Sequence, residues 1–330
     1  MSIHVVGGGL VGLDGAPLIH KRISSVTCLR ALQTDFGVTM GGTPLANGAS
    51  PPAVTLTGSI AGVAAFRTEI QTTGARGTAT FRYGALNDGT TSTWIETGVT
   101  TAATYNAIGP LSGLVLNFPS GTYTNDNVYQ GTCSAWADQK NGASAAQANA
   151  AKQPLILYSA TTRRFFLRFD GVDDNLVEST LDLPAPGTTN AFWHAVMVQR
   201  TWAASRGAFS AATTTGFMQF TGNVSTPNMQ QYDGTLANTN SGASLGSLVR
   251  AEVLYTNSAS DRVKIGGTNV AGTVAGNLDP AAGFIIGATT TTAANSGAFD
   301  FYYLGIYNGN PTELSSVDTS LSGIYQTILV

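Results

Sequence analysis

The chain has little charge. Lys, Arg, Asp and Glu make up 11% of its 330 residues, against about a quarter in an ordinary soluble protein. The 16 basic and 19 acidic residues nearly cancel, leaving a net charge of −3. That argues against nucleic acid as a partner, since such binding draws on a clustered basic excess. Histidine is scarce: His4, His20 and His194 lie far apart, and no G-x-S-x-G stretch frames a nucleophile for them. There are two cysteines, Cys28 and Cys133. They fall in different segments, and two buried thiols are expected rather than a structural disulfide. No apolar run reaches the roughly 18 residues of a membrane span, so no membrane insertion is expected. Residues 1–9 carry neither a basic segment nor a long apolar one, so no conventional secretion signal is read and synthesis in a cytoplasm is expected.

What the chain has instead is glycine, 39 residues of it, and a hydrophobic content of 43% with aromatics throughout. That is not a disordered composition. Abundant Thr and Gly suit many short strands joined by tight turns. Low charge also suits a protein held in a large assembly, where many surfaces face other protein.

In chain order, three segments are expected: an arm and linker over 1–52, a small β-sandwich over 53–133, and a larger β-unit over 134–330. The arm contains Gly7-Gly8-Gly9-Leu10-Val11-Gly12, a match to the dinucleotide fingerprint G-x-G-x-x-G, with Asp35 at a suitable distance. Gly15 and Pro17 would break the helix that fingerprint needs, and no alternation of strands and helices follows. A flavin or nicotinamide site is therefore rejected, and the arm reads as a Gly-rich segment that docks on neighbouring protein. Ile23 to Leu32 reads as a strand or one short helix. In 53–133, about seven strands fit into 80 residues, the spacing of a small sandwich. Phe66, Thr68 and Ile70 alternate, as do Leu114, Leu116 and Phe118, and Asn87-Asp88-Gly89 marks a hairpin.

The larger unit is organised by Phe165 to Leu176. Phe165, Leu167 and Phe169 fall on one side of a strand, Phe166 and Arg168 on the other. Asp170-Gly171 then starts a turn, because Asp bonds its own backbone and Gly accepts positive φ. Upstream stand Trp136, Asp138, Gln139, Asn141 and Gly142, then Gln147 and Gln153-Pro154. This series, W-x-D-Q-x-x-G, then Q-P, then F-D-G-x-D-D, resembles the laminin-G-like, concanavalin A-like jelly-roll family. The resemblance runs on through Phe284–Gly287 and Phe299–Asn308 to a short final helix, with Leu314, Val317, Leu321 and Ile324 at helical spacing. It implies an all-β fold: a small N-terminal β-sandwich followed by a concanavalin A-like jelly-roll sandwich with a short C-terminal helix. The run from Thr72 to Tyr83, followed by Leu116 to Tyr123, is similar to β-modules beside jelly rolls in tailed-bacteriophage virion proteins.

Chemistry is sparse. Cleavage of a glycosidic bond uses an acid and a second carboxylate on one face, and no strand carries two glutamates at that spacing. Glu252 stands alone, as does Asp300 among aromatics. His194, in a strand rich in Phe, Trp and Val, reads as a core histidine. Asp170, Asp173 and Asp174 form the one carboxylate cluster. Three acids within five residues are calcium ligands in kind, and the laminin-G-like resemblance implies calcium at a sheet rim. The alternative is that Asp170 shapes the turn while the other two bond backbone amides. Tyr232, Tyr255, Trp202 and Tyr302 are candidates for a glycan-stacking platform, with sandwich packing as the alternative.

The resulting expectation is a non-enzymatic virion structural protein, on a tail or fibre or decorating a capsid. It would have no cofactor beyond a structural calcium, would contact other virion proteins through its arm, and would form a homo-oligomer. The alternative is a receptor-binding module that recognises host surface polysaccharide. A glycan hydrolase or flavoprotein is the third reading.

Overall fold

The structure is a computed structural model. It describes residues 27–33, 37–60, 63–87, 91–138, 143–159, 162, 164–182, 191–201, 206–211, 217–223, 226–232, 236–240, 246–255, 262–265, 268–269, 282–288 and 296–308. Strand dominates. The helical elements among the described residues are two 3-10 turns, Gly109–Leu111 and Ala150–Lys152. The Gly-rich start and the C-terminal helix expected near 311–324 lie outside the described residues. Thr27–Gln33 is a strand, which decides between the two readings of that segment.

The strands follow from alternation. In Phe66–Thr72 the side chains of Phe66, Thr68 and Ile70 are buried, while Arg67, Glu69 and Gln71 are partly exposed, the two-residue period of a sheet with one dry face. Arg164–Arg168 differs: Phe165, Phe166 and Leu167 are all buried, as in a strand covered on both faces. His194 is buried in Ala191–Gln199, as expected for a core histidine.

The described strands gather into four sheets, of 13, 9, 3 and 2 strands. The largest runs in the order Thr268–Asn269, Arg262–Ile265, Leu248–Tyr255, Ala191–Gln199, Phe299–Asn308, Arg164–Arg168, Leu155–Ser159, Thr80–Asn87, Phe66–Thr72, Val128–Gln130, Leu45–Asn47. Thr27–Gln33 pairs with Phe299–Asn308, and Thr91–Thr100 with Thr80–Asn87. The nine-stranded sheet runs from Val38–Met40 through Cys133–Ala137, Ser144–Ala146, Leu176–Asp182, Ala282–Ile286, Arg206–Ala211, Phe217–Asn223 and Thr226–Tyr232 to Leu236–Asn240.

This four-sheet arrangement corrects the expected fold. The chain is all-β, but it is not a small sandwich followed by a two-sheet jelly roll. The largest sheet passes through both units: Leu155–Ser159 meets Thr80–Asn87 in a parallel bridge at Tyr158 and Asn87. Segments assigned to the arm are built in as well. Val38–Met40 pairs with Cys133–Ala137, and Leu45–Asn47 pairs with Val128–Gln130. The physical reason is edge satisfaction. Without the arm strands, Cys133–Ala137 and Val128–Gln130 would each leave a row of backbone N–H and C=O groups unpaired, and Val38–Met40 and Leu45–Asn47 satisfy them.

Two apolar cores result. One gathers Phe66, Ile70, Phe81, Tyr83, Leu116, Phe118, Tyr123 and Tyr129. The other joins the two large sheets face to face: Phe165, Leu167, Met197, Phe299 and Phe301 from the first meet Trp136, Leu176, Phe209, Phe284 and Ile286 from the second. Met40 packs against both. Each such side chain, fully buried, contributes about 1.5–3 kcal/mol. Cys133 is a free thiol in the second core, and burial raises its pKa, which makes it inert.

Candidate functional site

The acidic turn is assembled as the residue types dictate. Gly171 has φ +83°, a conformation a Cβ would strain. Asp170 Oδ1 accepts from the backbone N–H of Val172 at 2.7 Å and of Asp173 at 3.3 Å, and the Asp174 N–H stands 3.5 Å away. The Asp170 N–H donates to Asp174 Oδ2 at 2.9 Å. Asp170 is exposed, Asp173 half-buried and Asp174 buried, with their carboxylate oxygens within 4.8 Å of one another. Burial first, and the Asp170 carboxylate second, push the Asp174 pKa up to about 7.

Gln147 and Gln153, singled out in the sequence, join this turn. Asn175 Nδ2 donates to the Asp173 carbonyl at 3.0 Å, and Gln147 Nε2 donates to Asn175 Oδ1 at 2.8 Å. Gln153 Nε2 donates to the Gln147 carbonyl at 2.7 Å, and Thr132 Oγ1 donates to Gln153 Oε1 at 2.7 Å. The network ties the turn to the strand entering Trp136. The hydrogen bonds match the turn-shaping role for Asp170. Two of the three carboxylates accept amides of their own loop, and the oxygen-only donor set is of the kind calcium takes.

Asp300 is not alone, which corrects the sequence reading. Arg168 Nε and Nη2 donate to its two oxygens at 2.8 Å each, and Arg200 Nε stands 3.9 Å away. Residues 168 and 300 are neighbours in register on adjacent strands, which no local pattern announces. Tyr302, a candidate glycan platform, is buried and stacked on Phe166 with centroids 5.3 Å apart. The side chains of Trp202, Tyr232, Tyr255 and Glu252 lie outside the described residues.

The arrangement best suited to a polar ligand was missed in the sequence. It sits on the outward face of Phe66–Thr72, Thr80–Asn87 and Thr91–Thr100. Arg67, Glu69 and Arg82 project there because their neighbours Phe66, Thr68, Ile70, Phe81 and Tyr83 are buried. Arg67 Nη2 donates to Glu69 Oε2 at 3.0 Å, and Arg82 Nη2 donates to Glu69 Oε1. The Arg82 guanidinium carbon lies 4.3 Å from the centre of the Trp94 indole and that of Arg67 5.9 Å, both within cation–π range. Trp94 is partly exposed. Its partner in register is Gly84, where a Cβ would come within 1.9 Å of the Thr93 carbonyl oxygen, so only glycine admits this approach. Gln130 is paired with Arg67 in register and accepts from Asn47 Nδ2 at 3.3 Å.

A bulge re-aims the next carboxylate. Tyr83 pairs with Glu96 while Gly84 pairs with Trp94, so Ile95 is the extra residue. Glu96 is thereby turned to the phenols: Tyr83 Oη donates to its Oε2 at 2.7 Å, and Tyr105 Oη donates to the same oxygen. These donors, Tyr105 first, lower the Glu96 pKa, while burial raises that of Tyr83. The sequence signal for the outward face was the alternation of Arg67, Glu69 and Gln71. What it lacked was the partner strand.

Separately, a cavity of about 230 Å³ lies where the two cores meet, lined by Val38, Met40, Leu56, Ile60 and Leu114 with Thr39 and Ser59.

No protein-family model matches the chain, and no curated protein does. Several solved structures are similar to it. One is a GH54 arabinofuranosidase complexed with arabinofuranosyl-alpha-1,2-xylobiose, at 13% identity and TM-score 0.47, covering 94% of this chain and 64% of that one. Another is the Trypanosoma rangeli sialidase in complex with 2,3-difluorosialic acid, at 14% identity and TM-score 0.44, covering 58% and 31%. A third is domain 4 of AbnA, a GH43 extracellular arabinanase from Geobacillus stearothermophilus, in complex with arabinotriose, at 13% and TM-score 0.35, covering 56% and 92%. The chain thus spans 31% of the sialidase's length. These likenesses are to glycosidases and a domain of one, all at TM-scores below 0.5, and beside them the expectation of a non-enzymatic chain is withdrawn. At such identity no catalytic residue is carried over to this chain.

Proposed function

We propose that the chain is a carbohydrate-binding protein whose ligand stacks on Trp94 and is gripped by the charged groups around it. One observation carries this: a partly exposed indole set among two guanidiniums and a carboxylate on one outward sheet face. A sugar ring offers C–H groups to an aromatic face and hydroxyls to both donors and acceptors. Arg67 and Arg82 supply donors, and Glu69 supplies acceptors. The sugar-bound neighbours named above agree with this reading but do not carry it. The virion setting, the arm as a docking segment, the homo-oligomer and calcium at Asp170, Asp173 and Asp174 are proposals from the sequence resemblance.

A glycan array probed with the whole chain tests the reading, with Trp94→Ala alongside. Saturable binding that falls about tenfold or more in Trp94→Ala, at unchanged thermal stability, is the expected result. Binding that survives the substitution would move the site elsewhere.

A further inference from the structure

The charged groups around Trp94 do not balance. Glu69 is a single carboxylate shared by two guanidiniums, one oxygen to each. Among the described residues the cluster of Arg67, Glu69 and Arg82 therefore carries one net positive charge. The side chains are partly exposed, Arg82 most, at 32% against 21% for Arg67 and 12% for Glu69. Each guanidinium gives one terminal nitrogen to Glu69, and an arginine has five N–H donors in a fork that fits a carboxylate or sulfate. The nearest carboxylate along the sequence of the adjoining strand, Glu96, is turned by the bulge toward Tyr83 and Tyr105. It does not neutralise the pair.

Resting on the proposed carbohydrate binding at Trp94, we infer that the ligand is an acidic saccharide, one bearing carboxylate or sulfate groups. Arg82 is its principal anion contact. The indole takes the ring, the excess guanidinium charge takes the anion, and the amide of Gln130, beside Arg67 in register, is placed for a hydroxyl. Glu69 cancels one of the two guanidinium charges and so sets the excess at one.

The test is a panel of uronic-acid-containing polysaccharides, each presented native and carboxyl-reduced, bound to the full chain. Acidic members are expected to bind at least about tenfold more tightly than their reduced partners. Arg82→Gln is expected to cost about tenfold on the acidic members and about threefold or less on the reduced ones. Glu69→Gln, which raises the charge excess, is expected to tighten acidic binding about threefold, where a merely structural salt bridge would show loss. Raising salt from about 0.1 M to about 1 M shortens the screening length from about 10 Å to about 3 Å and is expected to weaken acidic binding alone. Equal binding of native and reduced members, lost in Trp94→Ala, would overturn the acidic specificity and keep the carbohydrate reading. Binding to no member would overturn both.

Discussion

Asp174 offers the sharpest test of the energetics. Its carboxyl is buried, at 6% exposure, with Asp170 and Asp173 within 4.8 Å. Its pKa is pushed up to about 7, against about 3.9 in an unfolded chain. For an acid with a raised folded-state pKa, the stability it contributes is present in full below the unfolded value. It is lost as the pH rises toward and through the folded value, because the unfolded chain releases the proton first. The window runs from about pH 4 to about pH 7. About three units at about 1.4 kcal/mol each amount to about 4 kcal/mol, and the figure belongs to the coupled cluster as much as to Asp174. Asp174→Asn keeps an oxygen to accept the Asp170 N–H and removes the ionisation. In urea denaturation of wild type and variant from pH 4 to pH 8, the variant should match wild type near pH 4. It should gain on it steadily, and exceed it by up to about 4 kcal/mol near pH 8. Taking the difference cancels every other titrating group. A difference that stays flat across the range, or one that favours wild type at high pH, would refute the burial argument.

Three further outcomes follow from other sites. If the acidic turn holds calcium, adding the ion at pH 7.5 should raise the melting temperature of wild type and leave Asp174→Asn unmoved; no shift in either would remove calcium from the site. Gly287→Ala should cost about 2–3 kcal/mol in chemical denaturation, because φ is +88° there and the new Cβ would stand 2.2 Å from Phe169 Cδ1. Arg168→Met should cost about 3 kcal/mol, because the buried Asp300 carboxylate loses both its close donors and keeps only Arg200, 3.9 Å away. Adding Asp300→Asn should recover much of that loss, and a double-mutant cycle reads the coupling directly.

The sequence alone determined what is local. The alternation of Phe66, Thr68 and Ile70, and of Leu114 and Leu116, placed strands and their dry faces, since period two is a property of the backbone. Asp170-Gly171 announced its turn, because the carboxylate bonds amides two to four residues on. Trp136, Gln147 and Gln153 stand out in the sequence as a set; Trp136 lies in the core between the large sheets, and the two glutamines share one hydrogen-bond network. Only the tertiary structure decided which edges join. The bridge between Tyr158 and Asn87 links segments about 70 residues apart, and the Arg168–Asp300 pair spans 132 residues. Neither leaves a trace in hydrophobic periodicity, because a strand's pattern records which face is dry and not which neighbour it finds. The same limit hid the Trp94 face. Its arginines, glutamate and indole come from three strands that are ordinary one by one. Their chemistry exists only once register and a one-residue bulge set them side by side.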